Sequence, residues 1–181
     1  VWTWEAVDET LARAGGTRVE NLAAACLTPF TCSGQWPYWA MQSLSLNGID
    51  PGYFWHTLYM SLHDGRREDK PVMVLVGRRG GEGKSFLLAP LTSVFGLDSV
   101  QIKPEKGSFP LLDLQTKRIV LLDEWRFDTT VLSIATQLLW LEGKPLLLPQ
   151  PQNQGAVGHM VYKGSAPIFI TTKEQYLQGL I

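Results

Sequence analysis

The apolar run VMVLV at 72–76 passes directly into GRRGGEGKSF at 77–86, so a strand would empty into a glycine-rich loop that ends in a Lys-Ser pair. In such a loop successive backbone N–H groups turn inward, and only small residues let the chain come close to an anion. Gly80, Gly81, Glu82, Gly83, Lys84, Ser85 and Phe86 therefore read as a nucleotide-binding segment. Lys84 would act catalytically by facing the β- and γ-phosphates. Ser85 would hold magnesium, and the start of the following helix would add its partial positive charge. The pattern G-x-x-x-x-G-K-[ST] wants its first glycine at position 78, which is Arg78, whereas Gly77 comes one residue early. Either the loop is one residue longer or Arg78 takes the first place.

Further along, KRIVLLDEW at 117–125 is an apolar strand that ends in adjacent carboxylates. Alone it fits a strand-terminal turn as well as a metal site, but following a phosphate loop it favours the metal site. Asp123 would hold magnesium, largely through water, and Glu124 would orient and activate an attacking water. A third apolar strand, APIFITTK at 166–173, ends in Thr171, Thr172 and Lys173, spaced to lie beside the carboxylate strand. Polar groups there could sense a γ-phosphate or the lytic water.

These groups need a scaffold that gathers strand ends. Short apolar runs at 72–76, 99–102, 118–122 and 167–171, with amphipathic stretches near 84–95 and 129–141, predict an α/β fold with a parallel sheet. The runs 145–149 and 159–163 flank QPQNQGAVG and predict a β-hairpin. Residues 1–65 show helical periodicity broken by turn signals. Their tryptophans (Trp2, Trp4, Trp36, Trp39, Trp55) read as core rings before they read as a stacking site for bases. The wholly polar stretch 64–70 reads as a solvated linker, which divides a helical subdomain, 1–67, from a core, 68–181.

Bulk properties narrow the classes without choosing among them. With 181 residues, 45% apolar and 18% charged, the chain is expected to be one globular α/β domain with a small satellite. Its formal net charge of -1 gives no global attraction to nucleic acid or an acidic membrane, so any such contact needs a local patch. Cys26 and Cys32 lack a second pair at zinc spacing and read as idle thiols. The N-terminus carries no secretory signal and no run is long enough to span a bilayer, so a soluble, reducing compartment is expected. A start at Val1 makes a piece of a longer chain the expectation.

Taken in order, these segments resemble the superfamily 3 helicases, most closely the nonstructural replication proteins of parvovirus type. The likeness runs over about residues 44–173, through LNGIDPGY (46–53), the loop, GSFP (107–110), DEW (123–125), EGKP (142–145) and FITT (169–172). The resemblance implies a P-loop NTPase core with an AAA+-type parallel sheet, ATP and magnesium as cofactors, and a homo-hexameric or other ring. It also implies movement along single-stranded DNA in a viral or virus-derived replication initiator, no membrane partner, and a place in the host nucleus. It makes 171–173 sensor 1, where the family carries Asn, and 145–163 the hairpin that grips DNA, with Lys144, His159 and Lys163 as the matching basic groups. The tip QPQNQG at 150–155 has no charge, and no arginine finger is identifiable. A nucleotide-binding assembly or packaging module without unwinding activity is the alternative. A P-loop small-molecule kinase is disfavoured by the lack of an arginine-rich lid.

Overall fold

The computed structural model describes residues 17–27, 35–96, 100–101, 104, 109–127, 129–149 and 159–177. Three helices come first: α1 (Arg18–Leu27), α2 (Trp36–Leu46) and α3 (Pro51–Asp64). The start of α3 is written into its sequence. Asp50 Oδ1 accepts the Tyr53 N–H at 2.6 Å, and Pro51 fills a first-turn position whose N–H would have had no partner. The helix stops at Gly65, whose φ of 72° is readily adopted only without a side chain.

Strand β1 (Met73–Gly77) and helix α4 (Lys84–Phe95) follow, then β2 (Val100–Gln101), a 3-10 turn at Leu112–Thr116, and β3 (Ile119–Leu122). Helix α5 (Ile134–Glu142) leads into β4 (Leu146–Pro149) and β5 (His159–Tyr162), and β6 (Ile168–Lys173) runs into a 3-10 turn at Glu174–Tyr176. The main sheet has the order β1-β6-β3-β2 and every pairing in it is parallel. The α/β expectation therefore holds: a parallel sheet with helices against it. β4 and β5 form the expected antiparallel hairpin, a second sheet of their own. α5 is shorter than the pattern at 129–141 predicts, because Ser133 caps it by accepting the Thr136 N–H and 129–132 remain turn.

Strand alternation sorts the core onto two faces. Ile119, Leu121 and Phe169 pack with Leu44, Phe54, Leu58 and Leu62 of α2 and α3 and with Leu87, Leu88 and Leu91 of α4. Val120, Leu122, Ile168 and Ile170 pack on the other side with Trp125, Trp140 of α5 and Leu146, Leu148 and Tyr162 of the hairpin. At about 1.5–3 kcal/mol for each fully buried large apolar side chain, these two layers supply the main driving force for the arrangement. Trp36 and Trp55 behave as core rings, with centroids 5.9 Å apart. Trp36 also lies 5.6 Å from Phe86 and donates its Nε1–H to the Phe86 carbonyl at 3.3 Å. Trp39 is the exception, half exposed on α2, while Trp2 and Trp4 lie outside the described residues.

The polar stretch 64–70 is exposed over 67–69, in keeping with its composition, and is also tied to its neighbours. Arg66 Nε donates to the Leu141 carbonyl at the end of α5 at 2.5 Å, its Nη1 donates to the Arg67 and Lys70 carbonyls, and Lys70 lies 3.3 Å from Asp64. An arginine has five donors and no acceptor, so Arg66 can satisfy several carbonyls at once and tie a polar segment to its neighbours. Among the described residues no helix is long and apolar enough to cross a membrane.

Candidate functional site

Parallel pairing puts the C-terminal ends of β1, β6 and β3 along one edge of the sheet, the edge at which open α/β sheets take ligands. Gly77 stands opposite Lys173, and Leu122 opposite Ile170. The glycine-rich loop after β1, the Asp123-Glu124 turn after β3 and the Thr171–Lys173 end of β6 thus become neighbours, although they are far apart in the chain.

Within the loop, Gly81 and Gly83 adopt φ of 81° and 82°, and Gly83 leads directly into α4. Glu82 folds back over the loop. One carboxylate oxygen accepts the N–H groups of Arg78 and Arg79, both at 3.0 Å, and the other lies 3.0 Å from Lys84 Nζ, which also donates to the Arg79 carbonyl at 3.3 Å. The Arg79 N–H, then the Lys84 ammonium, hold the Glu82 carboxyl below the ordinary carboxylate range. A Cβ on Gly77 would meet the tips of the Glu82 and Lys84 side chains, so a larger residue there would make those two flexible groups shift. Phe86 turns its ring onto Trp36.

Ser85 Oγ, on the first turn of α4, donates to Asp123 Oδ1 at 2.7 Å, and Thr171 Oγ1 donates to the same oxygen at 2.5 Å. The Thr171 hydroxyl also accepts the Glu124 N–H at 2.9 Å. Thr172 Oγ1 donates to the Trp125 carbonyl at 2.7 Å, and the Trp125 N–H donates to the Thr171 carbonyl at 2.8 Å. The end of β6 is thereby stitched to the turn after β3. Glu124 has φ of 48°, a region L-residues seldom enter, and its exposed carboxylate lies 3.9 Å from Lys173 Nζ.

Sequence reasoning missed several groups at this edge. Glu174 lies 3.5 Å from Arg78, and the Arg126 guanidinium sits 4.4 Å from the centre of the Tyr176 ring. A cavity of about 720 Å³ opens beside Lys84, bordered by Ser43 and Asn47 of the α2 end, Val76, Glu82 and Glu174. The charged pairs Arg78-Glu174 and Glu82-Lys84 join residues of opposite sign within the same strand-end cluster. The tyrosine and the α2 residues carry no sequence signal that would have singled them out.

The three basic candidates for DNA lie elsewhere, on or beside the hairpin. Lys144 precedes β4 with Nζ 2.6 Å from Glu142 Oε2, a contact that raises the lysine above its ordinary range. His159 stands opposite Pro149, and Lys163 follows β5, both exposed. The neutral tip at 150–155 lies outside the described residues.

No family model and no curated protein matches this chain. Among solved structures it is similar to the apo A form of the C-terminal region of NrS-1, with 20% sequence identity and a TM-score of 0.50. The match covers 73% of this chain and 32% of that one, so the chain spans about a third of the NrS-1 region. A likeness at that identity speaks to the fold.

Proposed function

We propose that the chain is the ATPase core of a superfamily 3 DNA helicase belonging to a viral or virus-derived replication initiator. The observation that carries this reading is the contact between Ser85 and Asp123 at 2.7 Å, which joins the end of the glycine-rich loop to the carboxylate strand. A hydroxyl and a carboxylate oxygen brought together beside a loop lysine are the hard donors that a magnesium ion shares with nucleotide phosphates. Magnesium keeps most of its waters and takes few protein ligands, so these two groups are a set it could use.

In this reading Gly80, Gly81, Glu82, Gly83 and Lys84 surround the phosphates. Magnesium, held by Ser85 and Asp123, would neutralise charge developing on the transferred phosphoryl group. Glu124 reaches solvent and would orient the attacking water, while Thr171 holds Asp123 and the Glu124 backbone in place. Lys173, close to Glu124 and on the strand end beside the loop, would sense the γ-phosphate. The cavity bordered by Ser43 and Asn47 leaves room for the nucleoside end.

A second reading, a nucleotide-driven ring or packaging module that does not unwind DNA, is favoured by the pairing of Lys144 with Glu142 and by the uncharged hairpin tip. A basic group already matched to a carboxylate offers less to a phosphate backbone. ATP hydrolysis by the full chain, measured with and without single-stranded DNA, decides between them. Stimulation by single strands is expected for the helicase, and turnover indifferent to DNA would favour the assembly module.

A further inference from the structure

Lys84 and the backbone N–H groups of Arg78 and Arg79 already face an anion. Glu82 supplies it, with two N–H groups on one oxygen and the lysine on the other. That is the pattern a phosphate would make, since a carboxylate and a phosphate offer the same acceptors to the same donors. The ion pair lies against Gly77, where an added Cβ would displace the tips of both side chains. From this we infer that Glu82 is an internal competitor that occupies the phosphate cradle at rest and must swing out before a nucleotide can bind.

The inference rests on the nucleotide-site reading and adds a regulatory step to it. Glu82 is flanked by Gly81 and Gly83, both at positive φ, so the hinges for such a swing are the residues with the least steric resistance to it. Once displaced, the carboxylate has the exposed Arg79 beside it in the same loop as an alternative partner. A site closed in this way binds with its intrinsic affinity divided by the fraction of time it is open. A cradle filled by its own carboxylate about four-fifths of the time therefore binds roughly fivefold more weakly. The opposite role, a brace that shapes the loop for phosphate, would make the same contacts but change affinity in the opposite direction.

Equilibrium binding of magnesium ATP, and separately of inorganic triphosphate, should be measured on the full chain and on Glu82→Gln, Glu82→Ala and Lys84→Ala. Both Glu82 variants are expected to bind about fivefold or more tightly than the parent, by a similar factor for the two probes because the competition lies at the phosphates. Agreement between the amide and the alanine shows that the gain comes from losing the anion. Equal or weaker binding by both Glu82 variants, with Lys84→Ala still abolishing binding, would overturn the competitor and leave the nucleotide site standing. Failure of the parent and every variant to bind either probe would remove the nucleotide site, and the competitor with it.

Discussion

Asp123 Oδ1 receives two hydroxyl donors, Ser85 from the helix after the loop and Thr171 from β6, and Thr171 in turn receives the Glu124 N–H. One buried threonine thus fixes the carboxylate that would hold magnesium and the backbone of the one that would activate water. Thr171→Val keeps the shape and removes both bonds. It should cost about 1–3 kcal/mol of stability, the usual penalty for leaving buried polar groups unmatched. It should also raise the magnesium concentration needed for half-maximal ATP hydrolysis, a shift that a packing defect alone would not produce. Thermal unfolding and a magnesium titration check the two halves. Glu124→Gln should keep magnesium ATP bound while hydrolysis falls by two orders of magnitude or more, since an amide is a poor base. Lost binding instead of lost turnover would make Glu124 a metal ligand. The types and order of these residues were legible in the sequence. That Thr171 turns inward onto Asp123 was not, because the direction of its hydroxyl depends on the register of β6 against β3, which pairs residues widely separated in the chain.

The elements that aim these groups were largely legible too. The strand runs at 72–76, 118–122 and 167–171 became β1, β3 and β6 with shifts of a residue or two, and the helix expected over 84–95 spans those bounds. Apolar periodicity and caps act locally, so they show in the sequence. The placing of α2 and α3 on one sheet face, and of α5 with the hairpin on the other, did not show, because it depends on which strand residues point which way once paired. Nor did the anchoring of 64–70, where Arg66 is held by carbonyls from another element. β6 lies between β1 and β3, and Phe169, its second residue, is fully buried against α4 and the N-terminal helices. Phe169→Ala should cost about 3–5 kcal/mol in a denaturant titration. A loss under 1 kcal/mol would mean that β6 does not hold the two faces together.

At the scale of the molecule, the proposed grip on DNA would rest on the basic groups the hairpin presents. Lys144 and Lys163 flank its base, and each phosphate contact contributes through counterion release, independently of base identity. In the full chain, Lys144→Ala with Lys163→Ala should weaken single-strand binding alike for all sequences and flatten the logarithmic salt slope by about 1.4, two contacts' worth on single strands. An unchanged slope would move the DNA grip off the hairpin and favour the assembly module. Both readings share a more basic claim, that the loop from Gly77 to Ser85 grips the phosphates of a nucleotide. Equilibrium binding of magnesium ATP to the full chain beside its Lys84→Ala variant tests it most directly. The parent should bind saturably and the variant at least tenfold more weakly, with its folded state intact by circular dichroism; equal affinity in the two, or no binding by a folded parent, would contradict the claim.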